Sequence, residues 1–189
     1  MKLYNFLSEK KTSVLNRWYD TILNTYPSDT AKFLKGQKNP FLNPVGSTTF
    51  QGIKNLYEYL IHGVEKDKVS QYLDNIIRIR AVQDFTPSQG IRFILFLKEV
   101  IREELKNEIA VHRLQDELLE FELKIDDLSL LAFDIFMKCR EKLYQLKVNE
   151  LQGLTYRRLQ KADEIYKKEC VHQDIYGEIV EFGRKGVAK

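Results

Sequence analysis

The chain has 189 residues, enough for one domain with an appended helix, and 43% of them are hydrophobic, enough for a real core. Thirty basic and 27 acidic residues leave a formal net charge of only +3. The two signs alternate along the whole chain, so no basic block marks a nucleic-acid groove.

No apolar run approaches the roughly 18 residues that cross a bilayer. Charged residues at Glu9, Lys10, Lys11 and Arg17 interrupt the opening segment, unlike a signal peptide, so a cytoplasmic protein that does not span a membrane is expected. Cys139 and Cys170 lie far apart and form no CxxC motif, and Cys139 sits among apolar helical positions as a small hydrophobe. Four prolines, nine glycines and no β-alternating run make the class all-α.

In chain order, Leu3, Phe6, Leu7, Val14, Trp18 and Ile22 recur at helical spacing and predict a first helix over residues 2–24, stopped by Pro27. Ser28 is expected to cap a short second helix that Gly36 ends. Residues 37–46 form the longest irregular stretch. Its two Asn-Pro pairs force extended or turn backbone, and Asn39 and Asn43 can bond nearby main chain. Phe41, Leu42 and Val45 are expected to pin this loop onto the core, and Asn43 with Pro44 to hold it there by satisfying buried backbone groups.

A third helix is expected from Ser47 or Thr48, with Thr48 and Gln51 as a capping box. It buries Phe50, Ile53, Leu56, Tyr57, Leu60 and Ile61, and it ends at His62-Gly63 as helix C-termini favour. A fourth helix spans residues 66–83. Its apolar side is Val69, Leu73, Ile76, Ile77 and residues 79–82, punctuated by Arg78 and Arg80.

The best-marked helix starts at Thr86. Thr86 is the N-cap, Pro87 stands at the first helical position, and Gln89 completes a capping box. A hydrophobic staple is missing, because Phe85 would need an apolar partner at position 90 and finds Gly90. From Ile91 to Leu97 every residue but Arg92 is apolar, which suits a helix in the middle of a bundle, with Ile94, Leu97 and Ile101 in the core.

Lys106, Asn107 and Glu108 read as a turn. A helix carrying Val111, Leu114, Leu118, Leu119 and Phe121 follows, then a long last helix with Leu128, Leu131, Ala132, Ile135, Phe136, Cys139, Leu143 and Leu146. No proline separates these two. Past Leu146 the apolar stripe narrows to Leu151, Leu154, Ala162 and Ile165, interrupted by Gly153, and residues 182–189 are expected to fray.

Chemistry is scarce. His62, His112 and His172 lack metal-ligand spacing, and no phosphate loop or nucleophile elbow occurs. Glu103-Glu104 and Asp126-Asp127 lie on charged faces where solvation is the default. Hence no catalytic, metal-binding or cofactor-binding residue is assigned.

Residues 39–46 (NPFLNPVG), together with 79–88 (IRAVQDFTPS) and 97–105 (LKEVIREEL), resemble the N-terminal domain of the RsbT co-antagonist proteins (RsbR/RsbRD type) of bacterial stressosomes. Asn16-Arg17-Trp18 and Tyr26-Pro27 are also similar. The resemblance implies a globin-like helical bundle of six or seven helices, without haem or other cofactor, acting as a dimeric, non-enzymatic sensory module. It implies a sensor over residues 1–150 and a helical extension with a tail over 151–189. Such domains usually precede a STAS domain, for which this sequence leaves no length, so a free-standing sensor or adaptor is expected.

Two other readings remain. A haem-binding sensor would need a proximal histidine, for which His62 is the candidate; a structural adaptor of a larger assembly is the other. A signal needs a surface to leave by. The long helix past the core supplies one, with Leu143, Leu146, Leu151 and Leu154 as the expected contact to a second copy or to a signalling protein.

Overall fold

The computed structural model describes residues 2–37, 39–63, 66–83 and 85–185, the side chains of 66, 67 and 168–185 excepted. All regular structure among them is helical: α1 (Lys2–Glu9), α2 (Lys11–Leu23), α3 (Ser28–Gly36), α4 (Pro44–His62), α5 (Lys66–Val82), α6 (Pro87–Glu104), α7 (Lys106–His112) and α8 (Gln115–Lys185). The fold is an all-α bundle with a long C-terminal helix. The chain divides into two compact units, Met1–Lys142 and Leu143–Lys189.

In the first unit α6 is the central element, and its start is as the local sequence dictates. The Thr86 side chain accepts from the Gln89 N–H while the Gln89 side chain accepts from the Thr86 N–H at 3.0 Å. Phe93, Ile94, Leu97, Val100 and Ile101 are buried. Trp18 of α2, fully enclosed, donates its indole N–H to the Phe93 carbonyl at 2.6 Å. Tyr57 of α4 is also enclosed. Its hydroxyl donates to the Leu7 carbonyl at 2.9 Å, and burial pushes its pKa far above the ordinary phenol value.

Gly90 explains the missing staple. It is buried, and a Cβ there would lie 2.3 Å from Phe136 Cε2 of α8, so the absent side chain is the space that Phe136 fills. Phe121, Ile125, Leu128, Ala132 and Phe136 are the inward residues of α8.

Several expectations need correction. The first helix is two helices, broken at Lys10. Without proline or glycine, the break is held from outside: the Lys10 ammonium donates to the Glu104 carbonyl at the end of α6 (2.7 Å) and pairs with Glu108 of α7 (2.6 Å). Ser28 is not the cap of α3, because Pro27 occupies that place and no side chain caps it.

The third helix begins at Pro44, four residues before Thr48, and the Thr48–Gln51 box does not form. Asn43 is the N-cap, accepting from the Gly46 N–H at 2.8 Å, with Pro44 in the first turn. The loop is tied down by Asn43, as expected, and not by Phe41 and Leu42. Asn43 is 3% exposed and donates to the Leu34 and Gln37 carbonyls at 2.8 and 2.9 Å, whereas Phe41 and Leu42 are 94% and 60% exposed.

The turn expected at residues 106–108 falls one residue earlier, at Leu105, and 106–108 open α7; a further turn comes at Arg113, which has a left-handed φ of 53°. The two helices expected after it are one, α8, which runs through Gly153. Of the apolar residues named for the first of them, Leu114, Leu118 and Phe121 are buried, while Val111 and Leu119 are exposed. Of the tail expected to fray, residues to Lys185 continue α8 and the rest lie outside the described residues.

Of the acidic residues expected on solvated faces, Glu103, Glu104 and Asp126 form ion pairs, Glu103 and Asp126 while still in part exposed. Arg17 of α2 pairs with both Glu103 and Glu104. Lys98 reaches Asp126 at 2.6 Å, and Arg102 binds the buried Glu122 carboxylate through two bonds of 2.6 and 2.7 Å.

Candidate functional site

No group of three or more His, Cys, Asp or Glu side chains among the described residues is placed to hold a metal ion. His62, the candidate for a haem ligand, stands exposed at the C-terminal end of α4, 3.4 Å from Glu58, and not in an apolar pocket. His112 stacks on Phe6 with ring centroids 5.2 Å apart. The side chains of His172 and Cys170 lie outside the described residues. Cys139 is half-buried, and burial raises its thiol pKa, which works against thiolate reactivity.

Clefts are shallow. One of about 350 Å³ lies beside the Asn43 cap and is lined by Tyr19, Lys35, Phe50 and Gln51, without a titratable pair aimed into it.

The chain's most distinctive surface is on α8. Leu119, Leu123, Leu130, Phe133 and Met137 are all exposed. At 3.6 residues per turn they fall within an arc of about 80°, roughly 140° around from the inward face. Of the residues from 119 to 137 on that arc only Asp126 is charged, and Lys98 neutralises it at 2.6 Å. In the first unit α8 is therefore apolar on two sides, one filling the core and the other facing solvent.

The expected contact residues belong to the second unit. Leu146, Leu151 and Leu154 are exposed there, as are Tyr144, Val148 and Leu159, while Leu143 is half-buried. Sequence reasoning missed the outer face of the first unit because it named Leu119 only as one apolar residue of a helix and did not single out Leu123, Leu130, Phe133 or Met137. The signal was present, since 119, 123, 130, 133 and 137 keep the three-four spacing of a helical seam.

No described helix is long and apolar enough to cross a membrane. The described surface is paired in many of its charges and apolar along one helix. Residues 12–151 match the RsbT co-antagonist protein rsbRD N-terminal domain family, and the chain belongs to that family. Its domains are signalling modules of the stressosome type. The chain is also similar to an uncharacterised protein of Archaeoglobus fulgidus, 27% identical over 144 residues, which covers 76% of this chain and 85% of that one. No solved structure matches.

Proposed function

We propose that the chain is a non-enzymatic cytoplasmic signalling module that acts through protein–protein contact, as a homodimer joined along α8. The observation that carries this reading is the second apolar face of that helix. Five exposed large side chains on one narrow arc exceed the scattered apolar residues normal on a monomer's surface. A three-four seam of this kind is self-complementary, so a second copy related by a two-fold axis covers it with the same residues. In the second unit Leu143, Leu146, Leu151 and Leu154 are the proposed contact residues, available to the second copy or to the signalling partner.

Sedimentation equilibrium at micromolar concentration tests the dimer. Twice the chain mass is expected, falling to the monomer mass in Leu130→Asp/Phe133→Asp with the helical circular dichroism unchanged, since both side chains are exposed. Leu146→Glu/Leu151→Glu tests the second unit separately. A wild-type protein that sediments strictly as a monomer refutes the proposal.

A further inference from the structure

The apolar arc of α8 has edges of opposite charge. On one edge, about 60–100° from the centre of the arc, stand Asp116, Glu120, Asp127 and Asp134, all exposed. None of them has an ion-pair partner among the described residues. Lys138 is the one cation on that stripe between residues 115 and 142, so four carboxylates less one ammonium leave it at −3. The other edge is α6, which runs antiparallel to α8, since Lys98 pairs with Asp126 and Arg102 with Glu122. Lys106 comes next, exposed, and with Arg102, Ile109, Leu118 and Leu119 it lines a cleft of about 370 Å³. With Lys98 and Arg102 offset by their partners, Lys106 leaves this edge at +1. Arg92 and Glu99 stand about 100–120° further round α6 and cancel one another.

Two identical faces can close about a two-fold axis in two ways. With the axis across α8 in the plane of contact, the helices run antiparallel and each edge meets its own kind, acidic stripe against acidic stripe. With the axis along α8, the helices run parallel and each acidic stripe lies over the α6 edge of the other copy. Juxtaposed like charges are costly, and complementary ones fix the register of an interface. The register agrees as well. Lys106 shares its cleft with Leu118, which stands between Asp116 and Glu120 in the chain, so a parallel pair puts Lys106 level with those two carboxylates of the other copy. One charge opposes this direction, because a parallel pair also brings Asp126 level with its own counterpart. It lies on the α6 side of the arc and Lys98 holds it at 2.6 Å, so one paired carboxylate is set against four unpaired ones.

We infer that the two copies run parallel along α8, with Asp116, Glu120, Asp127 and Asp134 of each against Lys98, Arg102 and Lys106 of the other. This direction rests on the dimer proposed above. It makes the partner surface a composite of α8 with α6 and the start of α7, not α8 alone.

Cross-linking of the full chain reads the direction. Cys139→Ala and Cys170→Ser remove the native thiols, and a single cysteine is placed at Leu119 or at Met137, both on the centre line of the arc. Each single-cysteine chain is expected to form a disulfide-linked dimer by itself on mild oxidation. In an antiparallel pair centred on the arc, the two copies of either position stand about 27 Å apart, from 18 residues at about 1.5 Å each, whereas a disulfide closes only within about 7 Å. Neither chain would then link alone, and only a mixture of the two would. A charge exchange reads the edges. Lys106→Glu is expected to raise the dimer Kd about threefold to tenfold at low salt, although it lowers the net charge of a basic chain, and Lys106→Glu/Glu120→Lys to restore it. Sedimentation of the same samples separates the two proposals. A dimer that links only in the mixture, or whose Kd the second substitution fails to restore, overturns the direction and leaves the dimer standing. A strictly monomeric chain overturns both.

Discussion

Replacing Asn43 with alanine removes three bonds from a side chain that is almost wholly buried. Its Oδ1 caps α4 by accepting from the Gly46 N–H, and loss of such a cap costs about 1 kcal/mol, within a range of about 0.5–2. Its Nδ2 clamps the Leu34 carbonyl in a buried setting and the Gln37 carbonyl in a half-buried one. Leaving the Leu34 oxygen without a donor costs about 1–3 kcal/mol, while water can reach Gln37 and replace most of that bond. Because the bonds share one side chain they are not strictly additive, and Asn43→Ala is expected to cost about 2–5 kcal/mol.

Urea unfolding followed by Trp18 emission and by far-ultraviolet circular dichroism measures this. Asn43→Ser separates the contributions, since a serine hydroxyl keeps the cap and loses the clamp, and an intermediate stability is expected. The Gly46 position supplies an internal check. A Cβ there would lie 2.4 Å from Asn43 Nδ2, so Gly46→Ala is expected to cost less in the Asn43→Ala background than in wild type. An Asn43→Ala protein within about 0.5 kcal/mol of wild type, the range of ordinary surface substitutions, refutes the claim that this residue fastens the loop.

Two further predictions concern the bundle. Gly90→Ala is expected to destabilise by about 1–3 kcal/mol through overpacking against Phe136, and Phe136→Leu is expected to relieve part of that, measured as a coupling in urea unfolding. Ser13 and Arg17 hold the Glu104 carboxyl below the usual carboxylate range. Its contribution is therefore full above the ordinary carboxylate pKa and is lost as pH falls through the depressed value, so wild type and Glu104→Gln should differ at neutral pH and converge in acid.

What could be read from the sequence was what neighbours in the chain decide. The start of α6 was legible because Thr86, Pro87 and Gln89 act within one turn, and the end of α4 because Gly63 takes a φ of 70° right after His62. The start of α4 was equally local but was assigned to the wrong pair. Asn43-Pro44 is a cap followed by a first-turn proline, a stronger signal than Thr48 and Gln51. The break at Lys10 was illegible, since its cause lies about ninety residues away at Glu104 and Glu108. Periodicity also finds apolar residues around α8 without saying which of them meet α6. That depends on Gly90 admitting Phe136.

The fastening at Lys10 also has a consequence for how the polypeptide folds as it is made. The earliest helices find many of their partners late. Trp18 bonds residue 93, Lys10 and Arg17 bond Glu104, the Leu3 N–H donates to Glu117 at 2.9 Å, and Tyr4 meets Phe121 and Lys124. Chains are synthesised from the N-terminus, so α1 and α2 emerge with apolar faces that α4 covers in part, through Tyr57 at Leu7 and Phe50 at Tyr19, and whose cover is completed only after α6 and the first part of α8 have left the ribosome. Closing so large a loop is entropically slow, and it makes folding of the first unit a late, concerted event rather than a stepwise one. A chain interrupted before residue 120 would therefore leave part of the apolar surface of α1 and α2 without the cover that α8 supplies, a natural substrate for chaperones.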